Sequence, residues 1–324
     1  MKIKIVQPNS KTFNGIKTYS TNLFKDLLKN GIAAELKRLP KVEFSIRGKK
    51  IGGWTSQRLL SFLVGNADIV HSTSYMELTP HTNVVTIHDL FSIINNKYKS
   101  QMIRDFHIKT LKTIERRRIN VVVQGEHIAE QVREYIPDVP IDIIPTKVFV
   151  KPATQNPYPD NGKLHLVTMG EIYGNGENRK QIYELYDWIK NLKDVELYHI
   201  GIITDEKYKN YSYNIHQLGT VSEQEKFNYL QYANKFVFKT LCEGQGIPTM
   251  EAMRLGTQPV INDIPAHRYF LGDKPYYYHN KDEFLEMIYR PKKQGLVEQI
   301  SQYDNWVEKY KKVYDNVINN HNKR

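Results

Sequence analysis

Short apolar runs alternate with stretches of helical period along almost the whole chain, and this alternation restricts the fold more than any other feature. Parallel strands need crossover segments between them, so a repeated strand–helix pattern reads as α/β layering around parallel sheets. In the first half, strands are expected at 2–7, 33–39, 69–71, 83–88, 120–123 and 141–145. Helices are expected at 16–29, 102–117 and 125–135, with Gly31 placed to stop the first. Residues 151–162 then hold three prolines and no apolar period, the composition of a linker. The alternation restarts beyond it. Strands are expected at 164–169, 195–200, 215–218, 236–238 and 258–261, and helices at 179–191, 223–232, 248–255, 282–289 and 306–319. The segment 173–178 reads as extended, with Arg179 and Lys180 opening the helix after it. A chain of 324 residues fits two doubly wound domains, expected at 1–150 and 151–302. In such sheets ligands bind outside the carboxyl ends of the strands.

Charge is spread unevenly over this frame. Residues 1–146 hold 22 Lys and Arg against 13 Asp and Glu, and the remainder holds 24 against 22. A basic first half suits an anionic partner, whether a membrane surface, a phosphorylated acceptor or nucleic acid, although a Lys-rich surface also serves solubility alone. The run Arg116-Arg117-Arg118 is read as complementing a helix C-terminus rather than binding nucleic acid. Cys242 is the single cysteine, which excludes an internal disulfide and a Cys-rich zinc site and points to a cytoplasmic location. The opening residues Met1–Val6 alternate charge and aliphatic side chains, reading as a strand rather than a signal peptide. No apolar run approaches the roughly 20 residues that span a bilayer.

Chemistry concentrates in one stretch, Cys242-Glu243-Gly244-Gln245-Gly246-Ile247-Pro248-Thr249-Met250-Glu251-Ala252-Met253, between an aromatic-rich strand and the strand at 258. Pro248 suits the start of a helix, where its missing N–H costs nothing. Gly244 and Gly246 let a ligand approach the backbone, and the N–H groups at the helix start suit a phosphate. Glu243 stands just before that helix and Glu251 about one turn inside it. Two carboxylates eight residues apart would also fit a solvated face and a helix cap.

The stretch resembles the Glu-x7-Glu motif of the retaining GT-B glycosyltransferases, in particular the GT4 family, with Gln245 in place of the usual aromatic residue. Gly256-Thr257-Gln258-Pro259-Val260 continues the motif. Weaker matches follow the family's order: Asn14-Gly15-Ile16 after the first strand, Thr86-Ile87-His88-Asp89-Leu90, Val121-Val122-Val123-Gln124, Ile143-Ile144-Pro145, and Trp306, Tyr310 and Tyr314 of the last helix.

The resemblance implies a GT-B fold, two Rossmann-like domains facing a central cleft, with the C-terminal helix at about 303–324 packing back on the first domain. It implies sugar transfer from a nucleoside diphosphate sugar, UDP- or GDP-linked, to an acceptor hydroxyl of a glycan, lipid or protein. Retention of configuration, no metal and no further cofactor are implied with it. Glu243 would bind donor-sugar hydroxyls and Glu251 the ribose hydroxyls, while backbone N–H groups around Gly246, Ile247, Pro248 and Thr249 would meet the diphosphate. Asn14 and Gly15 would join the donor site, and His88 would reach the sugar with one ring N–H. The family's Arg after the first strand of domain two is absent, because Glu171 follows Gly170. Lys180 is the expected phosphate contact, with Arg179 as a replacement for that Arg.

Two rival readings remain at this stage. One is another GT-B activity, such as a nucleotide-sugar epimerase or a phosphorylase. The other is a non-catalytic homologue binding an anionic membrane or nucleic acid, with nucleic acid the weaker choice because no aromatic residues interleave with the basic ones. A peripheral position on the inner membrane face agrees with the basic first half.

Overall fold

The computed structural model describes residues 1–8, 15–39, 43–46, 49–52, 60–94, 101–174 and 178–322. It divides into two compact units, Met1–Thr146 with Asn305–Arg324, and Lys147–Asp304.

In the first unit the strands are β1 (Ile3–Gln7), β2 (Ala34–Arg38), β3 (Glu43–Ile46), β4 (Lys49–Gly52), β5 (Ile69–Ser72), β6 (Val84–Ile87), β7 (Asn120–Val123) and β8 (Ile141–Ile143). Six of them form one parallel sheet in the order β2-β1-β5-β6-β7-β8. The antiparallel β3–β4 hairpin is an insertion that the alternation did not signal. Helices Gly15–Lys29, Gln101–Arg116 and Glu126–Tyr135 supply the crossovers. Gly31 adopts φ +72° just past the first of them, the left-handed conformation that ends a helix without a Cβ penalty. Arg117 serves the fold: its guanidinium donates to the carbonyls of Thr79, Pro80 and Thr82 at 2.8–2.9 Å.

The second unit holds β9 (Leu164–Met169), β10 (Val195–Ile200), β11 (Ile215–Gly219), β12 (Lys235–Phe238), β13 (Gln258–Asn262) and β14 (Tyr276–Tyr278). They form a second parallel sheet ordered β11-β10-β9-β12-β13-β14, the 3-2-1-4-5-6 order of a dinucleotide-binding fold. Leu166, Val167, Phe236, Val237, Phe238, Val260 and Ile261 are fully buried. Neighbouring strand residues point to opposite faces, so these continuous apolar runs show that both faces are covered. The three-residue strand β14 and the short helices Pro265–Leu271 and Leu296–Ser301 give too few residues for a period and went unsignalled.

Two glycines let β9 and β10 leave the sheet in close contact. A Cβ on Gly201 would lie 1.7 Å from the Gly170 carbonyl oxygen, and one on Gly170 would lie 2.5 Å from Lys180 Cδ. Both residues have strongly positive φ, +153° and +150°. Gly201→Ala is therefore expected to destabilise the protein by about 3 kcal/mol or more, because backbone must move to admit the methyl group. A chemical denaturation midpoint equal to that of the unsubstituted protein would refute this packing.

The last helix, Trp306–Asn322, belongs to the first unit. Trp306, Tyr310 and Tyr314 recur every four residues on one face and are all fully buried. Trp306 Nε1 donates to Asp26 Oδ2 at 2.7 Å. Beyond it runs a chain of buried polar groups. Tyr310 and Tyr19 hydroxyls pair, Tyr19 meets Thr86 Oγ1 at 3.1 Å, Thr86 meets His71 Nε2 at 2.7 Å, and His71 Nδ1 meets the Tyr314 hydroxyl at 2.8 Å. Burial pushes the His71 imidazole down to about 3, so it stays neutral in the folded state.

That depression has a pH consequence. Below the ordinary value of 6.5 the unfolded chain binds a proton that folded His71 refuses, down to about 3. Stability is full above that window and falls as pH drops through it. A gap held over roughly one and a half pH units is worth about 2 kcal/mol. His199, pushed down to about 4 by burial in the second unit, acts in the same direction. Stability curves at stepped pH should slope downward on acidification, and His71→Gln should flatten part of the slope; an unchanged slope would refute the assignment.

Candidate functional site

The 3-2-1-4-5-6 order reverses direction between β9 and β12, and a crevice opens beyond the carboxyl ends of strands at such a point. The Glu243–Glu251 stretch leaves β12 at that position. Its first part is an exit loop fixed by side chains. Asn262, the last residue of β13, grips the Thr240 backbone with both ends of its amide: Oδ1 accepts the Thr240 N–H at 3.0 Å and Nδ2 donates to the Thr240 carbonyl at 2.8 Å. Thr240 Oγ1 lies 3.2 Å from Glu243 Oε1, which orients that half-buried carboxylate.

The helix Ile247–Arg254 follows. Gly246 precedes it with φ +77° and ψ +44°, a left-handed conformation that disfavours any side chain. Pro248 stands second in the helix, one place later than the sequence suggested. Thr249 and Met250 both return their N–H groups to the Gly246 carbonyl, closing the first turn. The N–H groups ahead of that turn have no intrahelical acceptor and carry the positive end of the dipole. Thr249 Oγ1 is fully buried and has no hydrogen-bond partner among the described residues. Gln245, where the motif has an aromatic residue, is buried with Nε2 3.3 Å from the Met250 sulfur.

Glu251 is 8% exposed, and Lys226 Nζ donates to its Oε1 at 2.7 Å. Burial raises the Glu251 carboxyl above its ordinary value, while the Lys226 ammonium opposes the rise. Lys226 comes from the helix Glu223–Tyr232, whose capping box Ser222–Glu225 fixes the turn that carries it. One carboxylate oxygen is thus held by an internal cation.

Arg179 and Lys180 do not open a helix. Their backbone is extended against the β12 exit loop: Gln181 N–H donates to the Lys239 carbonyl and Leu241 N–H to the Arg179 carbonyl, both at 2.9 Å. The helix begins only at Ile182, because those bonds hold residues 179–181 out of helical geometry. The result places Lys180 against the site. Its Nζ lies 5.6 Å from the Phe238 ring centre, and its stem crosses Gly170 at the end of β9. Residues 175–177 of the segment expected to be extended lie outside the described residues. Asn178 accepts the Tyr173 N–H at 2.7 Å and donates to the Tyr173 carbonyl at 2.9 Å. Glu171 is exposed beside it.

One unit therefore gathers Glu243, Gly246, Ile247, Pro248, Thr249, Glu251, Lys180 and the Arg179 backbone at one switch point. His88 and Gly15 belong to the other unit. Neutral His88 gives its ring N–H to the Thr73 carbonyl through Nε2 at 2.9 Å, and Nδ1 lies 3.2 Å from Gln124 Nε2. Burial lowers its basicity. Both nitrogens are engaged, so a sugar contact would have to displace one of these partners. Gly15 opens the helix Gly15–Lys29, and a Cβ there would meet nothing within 4 Å among the described residues. Asn14 lies outside the described residues.

Three residues escaped the sequence reading: Lys226, Asn262 and His267. β12 and β13 are neighbours, so the loop after β13 borders the loop after β12. The signal for the latter two was a second strand-to-helix junction with a proline at its helix start, Asn262-Asp263-Ile264-Pro265. Among the described residues, no group of three His, Cys, Asp or Glu is placed to hold a metal ion, and no helix is long and apolar enough to cross a membrane.

No protein-family model and no curated protein matches the sequence. Solved structures do. The chain is similar to sucrose-phosphate synthase from Thermosynechococcus elongatus, with a TM-score of 0.78 over 98% of both chains at 12% identity. It is similar to WaaG, a glycosyltransferase involved in lipopolysaccharide biosynthesis, with a TM-score of 0.66 over 97% of this chain and 95% of that one at 12% identity. A third is the pneumococcal O-GlcNAc transferase GtfA in complex with UDP and GlcNAc, with a TM-score of 0.60 over 85% of this chain and 62% of that one at 13% identity. At such identities the likeness establishes architecture: the fold is α/β of the GT-B type, two parallel six-stranded sheets each layered with helices.

Proposed function

We propose that the chain is a glycosyltransferase that moves a sugar from a nucleoside diphosphate sugar to an acceptor hydroxyl. The observation that carries the reading is the convergence of Glu243, the Gly246–Thr249 helix start, Glu251 and Lys180 at the switch point of one Rossmann-like sheet. The unit Lys147–Asp304 would hold the donor, and the other unit would shape the acceptor side. The complex of GtfA with UDP supports a uridine nucleotide as the first donor to try.

In this reading the diphosphate lies on the helix N-terminus, where N–H groups and dipole meet its charge as the sugar departs. Lys180 adds a cation from the β9 side. Glu251 Oε2 accepts from a ribose hydroxyl, and Glu243 accepts from hydroxyls of the sugar. The two carboxylates bind and orient; they are not an acid–nucleophile pair. Retention of configuration is carried into this proposal by the resemblance of the Glu243–Glu251 stretch to the retaining family, and independence from a metal goes with a donor site that relies on fixed dipoles and side-chain cations.

Calorimetric titration of UDP, GDP, ADP, dTDP and their common sugar conjugates tests the reading, followed by an assay for nucleotide release with EDTA present. Binding of one nucleotide and slow release from its sugar conjugate are expected. Failure of every nucleotide to bind would overturn the donor site.

A further inference from the structure

Behind the glycine entry to the helix Ile247–Arg254 lies a group that the donor reading leaves unused. His267 is fully buried, 0% exposed, on the helix Pro265–Leu271. Its Nδ1 is 2.9 Å from the Asn262 carbonyl oxygen. A carbonyl only accepts, so Nδ1 carries the proton and the neutral ring presents Nε2 as a bare acceptor. That Nε2 has no hydrogen-bond partner among the described residues. A buried polar atom left unpaired costs about 1–3 kcal/mol, so its persistence calls for a reason beyond packing.

The ring faces Gly246. A Cβ on that residue would lie 3.4 Å from His267 Cδ2 and 3.6 Å from Nε2. The Cδ2–Nε2 edge that carries the unpaired nitrogen thus lies on the side of Gly246 where a side chain would stand. Asn262 ties the same imidazole to the exit loop, because its amide grips Thr240 while its carbonyl receives Nδ1–H.

The charges around the ring favour a proton. Burial is the largest influence and lowers the imidazole in the empty site, while the Asn262 carbonyl, Glu243 on the exit loop and Asp263 after β13 support the charged form. Asp263 is itself paired with Arg268 and with His279. From β12 the ring meets Phe238, which has Lys180 near its own ring. From β14, Tyr277 donates its hydroxyl to the His267 carbonyl. The helix Ile247–Arg254 contributes neutral Thr249 beside its positive dipole end.

We propose that His267 is the positioning residue of this anion site: when a phosphate group docks at the Gly246–Thr249 helix start, Nε2 takes up one proton from solvent and the imidazolium stands behind Gly246 as a counter-charge. An arriving dianion supplies the attraction that burial withholds in the empty site. This gives the site a cation where Glu171 occupies the place at which the resembled family has Arg. The inference rests on the reading that a nucleotide diphosphate docks at this helix.

The test is calorimetry on the full chain with UDP and with inorganic pyrophosphate, at one slightly alkaline pH, in buffers that differ in heat of ionisation. The dependence of the observed heat on the buffer gives the number of protons taken up. The unsubstituted protein is expected to take up close to one proton more than His267→Gln, and its affinity should fall by up to tenfold per pH unit as pH rises. The ligand's own phosphate titration is common to both proteins, so the difference belongs to residue 267. Imidazole nitrogen NMR of the unsubstituted protein provides a second reading should the variant fold poorly: Nε2 is expected to move from bare to protonated as pyrophosphate is added. Ligand binding with Nε2 still bare, or equal proton uptake in the variant, overturns this inference and leaves the donor site standing. Failure of both ligands to bind overturns the two together.

Discussion

Glu251→Ala is expected to weaken binding of the preferred nucleotide by roughly 10- to 100-fold. The carboxylate is almost wholly buried and positioned through Oε1 by Lys226, which preorganises it as an acceptor. A hydrogen bond to a charged group contributes about 1.5–3 kcal/mol, and truncation also strands the Lys226 ammonium at the site. Calorimetry with UDP and its sugar conjugates measures the loss. Equal affinity in the variant and the unsubstituted protein would remove Glu251 from the donor site. Lys226→Met separates charge compensation from ligand contact. Burial already raises the Glu251 carboxyl, and removing the ammonium takes away the group that opposes the rise. A carboxyl with a raised value stabilises the fold most when protonated, so the variant should lose stability as pH rises through that titration. A variant whose stability is flat over the same range would show that the pair is not coupled in solution.

Trp306→Ala is expected to cost about 3–5 kcal/mol of stability, the range for truncating a large buried aromatic side chain. Trp306 is fully buried, packs edge-on against Tyr19 and Tyr310, and donates to Asp26 at 2.7 Å. Its removal opens a cavity at the start of the helix Trp306–Asn322 and frees that helix from the sheet. Trp306→Phe keeps most of the volume and loses the hydrogen bond, so a smaller cost of about 1–3 kcal/mol is expected. Urea denaturation of both variants measures the difference. An alanine variant within about 1 kcal/mol of the unsubstituted protein would mean that this helix is not anchored by Trp306.

The legible parts of the molecule were those governed by local periodicity. Strands buried on both faces are rich in apolar residues, so β6, β7, β9 and β12 stood out, β1, β5 and β10 kept aliphatic residues beside their polar ones, and the helices between them followed from spacing. The Glu243–Glu251 stretch was legible because glycine, proline and two carboxylates fall at one strand-to-helix junction. The elements that stayed hidden are short. The hairpin β3–β4, the strand β14 and the helix Pro265–Leu271 each contain too few residues to establish a period, and their form depends on what they pack against. Arg179 and Lys180 were misplaced for a related reason. Their helix propensity is good, but hydrogen bonds to residues 239 and 241, distant in sequence, hold them extended.

By itself, then, the sequence determined the layering into parallel sheets, the position of the phosphate-compatible helix start and the two carboxylates around it. Those features depend on residues close together in the chain, where hydrophobic period and backbone permissiveness act directly. Tertiary structure alone decided the partners. Only the order β9-β12-β13 brings Lys180, the exit loop and the β13 exit to one edge, sets Lys226 on Glu251, and turns the unpaired nitrogen of His267 toward Gly246. Charge pairing and burial act through space, and no spacing within the chain encodes which distant residue will supply the counter-charge or the enclosing wall.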